Sequence, residues 1–225
     1  EHIAYSMSDT PTGPWKYMGE IMPLQDTGSF TNHCGVTDYK GNSYFFYHTG
    51  KLPGGGGFGR SVAVEQFSYN PDGTFPIINA TTEGVSPVGT LTPYQRVEAE
   101  TIAFSEGVKS EWNAKTGVYV SGIHDGDYIK VREVDFEDLS PKCLCVSVAS
   151  ALRGGWIEIR TDSIGGTLIA EMRVPHTGGW EAWKTLETAV KQGEQAVSGT
   201  HDLYFCFKGR KGYKLFNFDW WKLVE

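Results

Sequence analysis

Residues 203–208 read Leu-Tyr-Phe-Cys-Phe-Lys and residues 144–149 read Leu-Cys-Val-Ser-Val-Ala, and both place an apolar side chain at every second position. Successive side chains of a strand point to opposite faces, so a period of two marks a strand with one buried face. Leu144, Val146 and Val148 form that face in one segment, and Leu203, Phe205 and Phe207 form it in the other. Working outward, the same reading predicts strands at 97–101, 119–123, 127–131, 144–151, 157–161, 168–174, 183–186, 203–208 and 216–223. That many strands suffice to close two sheets over a common core, which makes this half a β-sandwich. The first 85 or so residues carry shorter runs, predicted as strands at 3–8, 15–17, 36–39, 43–48, 61–67 and 75–78. Their connections are turn-forming: Tyr39-Lys40-Gly41-Asn42 and Tyr69-Asn70-Pro71-Asp72-Gly73 supply Gly or Asn for positive φ. Six short strands bury their own faces poorly, so this half reads as an incomplete sheet assembly. Between the halves Pro87 and Pro93 interrupt any ladder. The expected organisation is therefore 1–86, a linker at 87–94, and 95–225, all of it β.

Composition narrows the function classes. The 225 residues include 28 Gly and 13% aromatics, and 20 Lys and Arg against 27 Asp and Glu give a net charge of −7. Nucleic-acid binding rests on concentrated basic surface, so a nucleic-acid partner is not expected, and an anionic membrane is disfavoured for the same reason. No apolar run approaches the roughly 20 residues that span a bilayer. Glu1 falls within a strand pattern, so the chain reads as a mature protein or a fragment with any export signal upstream. Cys34, Cys143, Cys145 and Cys206 match no trusted metal spacing. Cys143 and Cys145 would share a strand face, where an i, i+2 disulfide is strained, so free thiols are expected, with a Cys145–Cys206 bridge as the alternative.

Six blocks give the second half its likeness to a known family: Val97-Glu98-Ala99-Glu100, Gly126-Asp127-Tyr128-Ile129, Gly166-Thr167-Leu168-Ile169, Thr177-Gly178-Gly179-Trp180, Thr200-His201-Asp202-Leu203-Tyr204 and Phe216-Asn217-Phe218-Asp219-Trp220-Trp221. In this order they resemble a family 6 carbohydrate-binding module, a jelly-roll sandwich, over residues 95–225. In the first half, Gly13-Pro14-Trp15, Thr31-Asn32-His33-Cys34-Gly35, Tyr44-Phe45-Phe46-Tyr47-His48, Gly59-Arg60-Ser61-Val62 and Tyr69-Asn70-Pro71-Asp72-Gly73-Thr74 are similar to the closing part of a family 43 glycoside hydrolase. That family is a five-bladed β-propeller releasing xylose or arabinose from plant polysaccharide. The joint resemblance implies partial propeller blades followed by a sandwich, in a secreted or periplasmic arabinofuranosidase or β-xylosidase.

Sugar recognition needs a flat aromatic against the C–H face of a pyranose, flanked by groups that bond its hydroxyls. Trp180, just after the Thr177-Gly178-Gly179 turn, is the candidate ring, whereas Trp183 is expected to pack inside and Phe218 and Trp220 to be core. The resemblance adds Asn217 and Glu111 as hydroxyl-bonding groups. It also exposes a departure: members that clamp the sugar between two rings carry a tyrosine where Gly122 stands. Tyr119 or Trp112 are the candidates to replace it, and the family's second cleft, on the concave sheet face, is the alternative site. Glu98 and Glu100 share a face of the opening strand, with Asp219 expected on the strand beside it. Such a hard oxygen set suits calcium, and the resemblance implies a structural calcium there. In the first half the resemblance places His33 near the propeller axis and Arg60 against the sugar. It locates the catalytic carboxylates in earlier blades, so none is assigned; Asp9, Asp26, Asp38, Glu65 and Asp72 read as turn formers or solvated charges. The expected partner is xylan or arabinoxylan, bound for a glycoside hydrolase, the alternative being a non-catalytic lectin-like protein.

Overall fold

The computed structural model describes residues 1–137, 139, 141–191 and 197–225, which divide into two compact units, Glu1–Val88 and Gly89–Glu225. Among the described residues there is no helix, so none long and apolar enough to cross a membrane.

In the first unit, β1 (Ile3–Met7) pairs antiparallel with β2 (Lys16–Met22), and β3 (Gly35–Tyr39), β4 (Asn42–Thr49) and β5 (Ser61–Phe67) form a second sheet. Lys40 and Gly41 both take positive φ, +49° and +80°, the twist a two-residue hairpin between β3 and β4 requires. The strand expected at 75–78 does not form; Pro76 has no N–H to give a ladder, and Ile78 N–H instead donates to Ile21 O at 2.7 Å. Ile3, Ile21, Met22, Phe45, Tyr47, Phe67 and Ile78 make a small core, while Leu24, Phe58 and Val62 stay more than 70% exposed. Two small sheets do not cover their own apolar side chains.

The second unit contains β6 (Val97–Glu98), β7 (Phe104–Glu106), β8 (Lys109–Asn113), β9 (Gly117–Ser121), β10 (Tyr128–Asp135), β11 (Cys143–Ala149), β12 (Gly155–Thr161), β13 (Leu168–Val174), β14 (Lys184–Ala189), β15 (Thr200–Lys208) and β16 (Asn217–Val224). They form two antiparallel sheets, ordered β13-β12-β15-β10-β7 and β14-β11-β16-β9-β8, with β6 also paired to β16. Residues read as linker are bonded into this unit: Leu91 N–H donates to Glu133 O at 2.8 Å, and Leu223 N–H to Pro93 O at 2.7 Å.

The alternating faces meet where expected. Phe205 of β15 lies 5.0 Å from Trp221 and 5.7 Å from Phe218 of β16, ring centre to ring centre, so one aromatic cluster joins the sheets. Trp220 departs from its expected core position. The β11–β16 register runs Ser147↔Trp220 and then Val148↔Phe218, leaving Asp219 as an extra residue in a bulge. The bulge turns Phe218 and Trp221 both inward and Trp220 outward, half-buried beneath the Arg96 guanidinium at 5.4 Å. Cys145 and Cys206 lie in different sheets, on β11 and β15, and both are free, so the alternative bridge is not formed.

Candidate functional site

Three turns meet at one end of the sandwich, and buried side chains pin them together. Ser150 donates its hydroxyl to Leu215 O at 2.6 Å and its N–H to Thr177 Oγ1 at 2.8 Å, while Thr177 N–H donates to Ser150 O at 2.9 Å. The Thr177–Trp180 turn is thereby fixed to the segment that leads into β16.

Trp180 sits half-buried on that turn, with the Lys214 ammonium 4.6 Å from its ring centre. Asn217, the first residue of β16 and almost wholly buried, donates from Nδ2 to Trp180 O at 2.8 Å. Its Oδ1 is buried without a hydrogen-bond partner. The amide therefore holds the Trp180 turn and keeps an acceptor unused, at a typical cost of about 1–3 kcal/mol for an unsatisfied buried group.

Lys214 lies 4.0 Å from Glu111, and Glu111 accepts from the Tyr119 hydroxyl at 3.3 Å. The neighbouring Ser121 hydroxyl, then Lys214 and Tyr119, hold the Glu111 carboxyl below its ordinary range against partial desolvation. Asn217 thus bonds Trp180 directly, and Lys214, which sequence reasoning missed, links Trp180 to Glu111. A cation over a ring is a tertiary contact that no local pattern announces.

The candidates for a second ring fare differently. Tyr119 is buried, its ring edge-on to Trp183 at 5.2 Å, so it offers a hydroxyl through Glu111 and not a stacking face. Trp183 is half-buried rather than interior, and its Nε1, like Asn113 Nδ2, is buried without a partner. Trp112 is 67% exposed on β8, opposite Val118, and stacks on no other ring among the described residues. Gly122 lies just past β9 in the left-handed region, φ +65°. Of the candidate rings, Trp180 is thus the one on the pinned turn, with Lys214 against it, and Trp112 is the exposed one.

On the outer face of the other sheet, the rings of Phe104, Tyr128 and Tyr204 run at 6.4 and 6.0 Å spacings. Beside them lies Glu158, 6% exposed and paired with both Arg160 and Lys208. Burial opposes its ionisation, but the two cations outweigh it and lower its carboxyl below the usual range.

At the acidic cluster, β6 pairs Glu98 with Trp220 and ends there, so Glu100 lies in the turn that follows rather than on a shared strand face, and Ala99 N–H donates to Asp219 O at 2.8 Å. The carboxylates do not converge to ligand spacing. Arg96 forks onto both oxygens of Glu98 at 2.8 Å and lies 3.7 Å from Asp219, turning Glu98 aside. Glu100 Oε2 and Asp219 Oδ1 are buried and accept no hydrogen bond, and burial raises both carboxyls above their ordinary values. Two such carboxylate oxygens fit a hard cation, with Arg96 as the group it must displace. Among the described residues, the side chains at metal-ligand spacing are instead Cys143, Cys145 and Glu187. Burial and the Glu187 carboxylate lift the Cys145 thiol to about 11.

In the first unit, His33 is exposed, with its ring 5.2 Å from that of His48. Desolvation, Arg60 and His33 together lower the His48 imidazole. Arg60 donates to Thr31 Oγ1, and Asn32 Oδ1 accepts from His48 N–H at 2.9 Å. His33 and Arg60 therefore both lie close to His48. Glu65 corrects the expectation of a solvated charge: it is buried within β5, accepting from Tyr47 Oη at 2.9 Å and Thr81 N–H at 2.7 Å.

Comparison with known proteins follows the same division. Residues 98–225 match the family described as Carbohydrate binding module (family 6). The arabinoxylan arabinofuranohydrolase of Bacillus subtilis is 35% identical over 99% of this chain and 45% of its own length. A crystal structure of a glycoside hydrolase family 43 arabinoxylan arabinofuranohydrolase from that organism, in complex with cellotetraose, superposes with a TM-score of 0.78, covering all of this chain and 47% of that one at 35% identity. A family 6 module of Clostridium cellulolyticum in complex with xylose is 37% identical, covering 60% of this chain and all of its own, with a TM-score of 0.56. The chain thus spans less than half the length of the arabinofuranohydrolase it matches.

Proposed function

Because this chain belongs to the family 6 carbohydrate-binding modules through residues 98–225, we propose that its second unit holds a glycoside hydrolase of arabinofuranosidase or β-xylosidase type on xylan or arabinoxylan. The observation that carries the reading is the half-buried Trp180 on a pinned turn, with Asn217 and Glu111 linked to it. The ring offers an apolar face to the C–H side of a xylose unit, and the polar groups around it take the hydroxyls. A single ring gives a shallow platform suited to a chain rather than an enclosed sugar.

In the same reading the first unit is the closing segment of a five-bladed propeller, with His33 and Arg60 on the wall of its sugar-binding mouth. No catalytic carboxylate is assigned to these residues, so hydrolysis belongs to blades outside this chain. Relatives that act on arabinoxylan support that placement. Calcium is proposed to bind Glu98, Glu100 and Asp219, displacing Arg96 and coordinating the two buried oxygens that accept no hydrogen bond. The protein is read as secreted or periplasmic, where its polymeric substrate is found.

Calorimetric titration of the whole chain with xylo-oligosaccharides in calcium buffer tests the binding. Saturable heat is expected, lost in Trp180→Ala while the melting temperature stays nearly unchanged. Full binding by that variant removes Trp180 from the site, and no heat from the unaltered protein overturns the xylan reading.

A further inference from the structure

Next to Trp180 lies a cavity of about 400 Å³, within the range of small-molecule sites, lined among others by Leu152, Arg153, His176, Arg210, Tyr213 and Lys214. It is preformed by the Ser150 and Thr177 hydrogen bonds that pin the turns, and Arg173 adds a bond to Arg153 O at 2.7 Å. Its apolar lining is Leu215, which is buried, and Leu152 and Tyr213, which are exposed at its edge. The charge around it is one-sided. Arg153, Arg210 and Lys214 line the cavity together with His176, and no Asp or Glu does. Among the described residues, neither Arg153, His176 nor Arg210 has a carboxylate within ion-pair distance, whereas Lys214 faces Glu111 at 4.0 Å. This concentration stands in a chain whose net charge is −7. Arg210 and Lys214 come from one basic segment, Lys208-Gly209-Arg210-Lys211-Gly212-Tyr213-Lys214, while Arg153 and His176 come from two other stretches of the chain. Arg210 is also held ready, its guanidinium 4.3 Å from the Tyr213 ring centre.

An apolar lining with an aromatic edge suits a sugar ring, and unpaired guanidinium groups suit an anion, which they bind by paired, charge-assisted hydrogen bonds. We infer that this cavity is a subsite for a sugar carrying an anionic group, a uronic-acid carboxylate or a sulfate, on the same chain whose neutral part lies against Trp180. The inference rests on the Trp180 reading and extends it: neutral contacts provide attachment, and the basic cavity selects acid-decorated stretches of polysaccharide.

The test compares three ligands on the whole chain by calorimetry: xylotetraose, a xylotriose bearing one glucuronic acid, and a sulfated galactose oligosaccharide of similar length. One of the two anionic ligands is expected to bind about tenfold tighter than xylotetraose, equivalent to about 1.4 kcal/mol. Which one does so identifies the anion. The gap should close in Arg153→Gln/Arg210→Gln, and shrink at about 0.5 M salt through screening. Both residues are exposed, so an unchanged melting temperature is expected and separates lost binding from lost folding. Equal affinity for neutral and anionic ligands, or a gap that persists in the double variant, overturns the inference. In that case xylotetraose binding still sustains the Trp180 reading; tight binding of an anionic ligand alone would sustain the cavity and overturn neutral xylan as the ligand.

Discussion

Gly122 occupies the left-handed region at φ +65°, and a methyl group there would meet Lys109 atoms at an ordinary 3.6 Å. Space is therefore not what selects glycine; backbone conformation is. Gly122→Ala is expected to lower stability by about 1–2 kcal/mol, the cost of a left-handed L-residue, read as a shift in urea midpoint with unchanged slope. An unshifted midpoint would show that the turn relaxes freely. At this scale the sequence was partly legible. The Gly-Gly turn singles out Trp180 and the family block singles out Asn217, but the bond from Asn217 to Trp180 O is named by neither. Glu65 was misread because its partners, Tyr47 and Thr81, come from other parts of the chain. Burial of a carboxylate is decided by neighbours that local composition does not name.

Among the elements, β16 joins both proposed sites. Asn217 opens it bonded to Trp180 O, and two residues later the bulge holds Asp219 near Glu98 and Glu100. A cation bound there would couple β6 to β16 and act only on the folded state. Chelator is expected to lower the melting temperature of the calcium-loaded protein, and Glu100→Gln to abolish the calcium-dependent part of that shift. A chelator-insensitive melting temperature in the unaltered chain would remove calcium from this cluster. Strands with clean alternation were found where their pattern lies: β5 and β13 coincide with their expected bounds, and β15 extends three residues earlier. Two strands were missed for physical reasons. β7 has only three residues, and β8, Lys-Ser-Glu-Trp-Asn, is mostly exposed and carries no apolar period, taking its conformation from pairing with β9.

For the sandwich unit as a whole, stability is concentrated where the sheets touch. Phe205 contacts both Phe218 and Trp221 across the interface and is fully buried, so its truncation leaves a void that neighbours on two rigid sheets cannot fill. Phe205→Ala is expected to cost about 3–5 kcal/mol by urea denaturation, and Phe205→Leu clearly less. A loss under about 1 kcal/mol would mean that the core repacks easily. This contrasts with Trp180→Ala, where binding rather than stability is expected to fall. The all-β class and the sandwich follow from the period-two segments, because alternation fixes which faces must meet. The basic cavity was not legible, since Arg153 and Arg210 lie far apart in the chain and converge only when three turns are pinned.

The first strand of the sandwich unit, β6, is hydrogen-bonded to its last, β16, and Pro93 O accepts from Leu223 N–H at 2.7 Å. The two ends of the unit therefore lie side by side. Such a unit behaves as a cassette: it can be spliced into a surface loop of an unrelated host without prising the host apart. Joined head to tail by a short connector, it can also be circularly permuted by opening an outlying turn such as that at 163–166, with every strand pair retained.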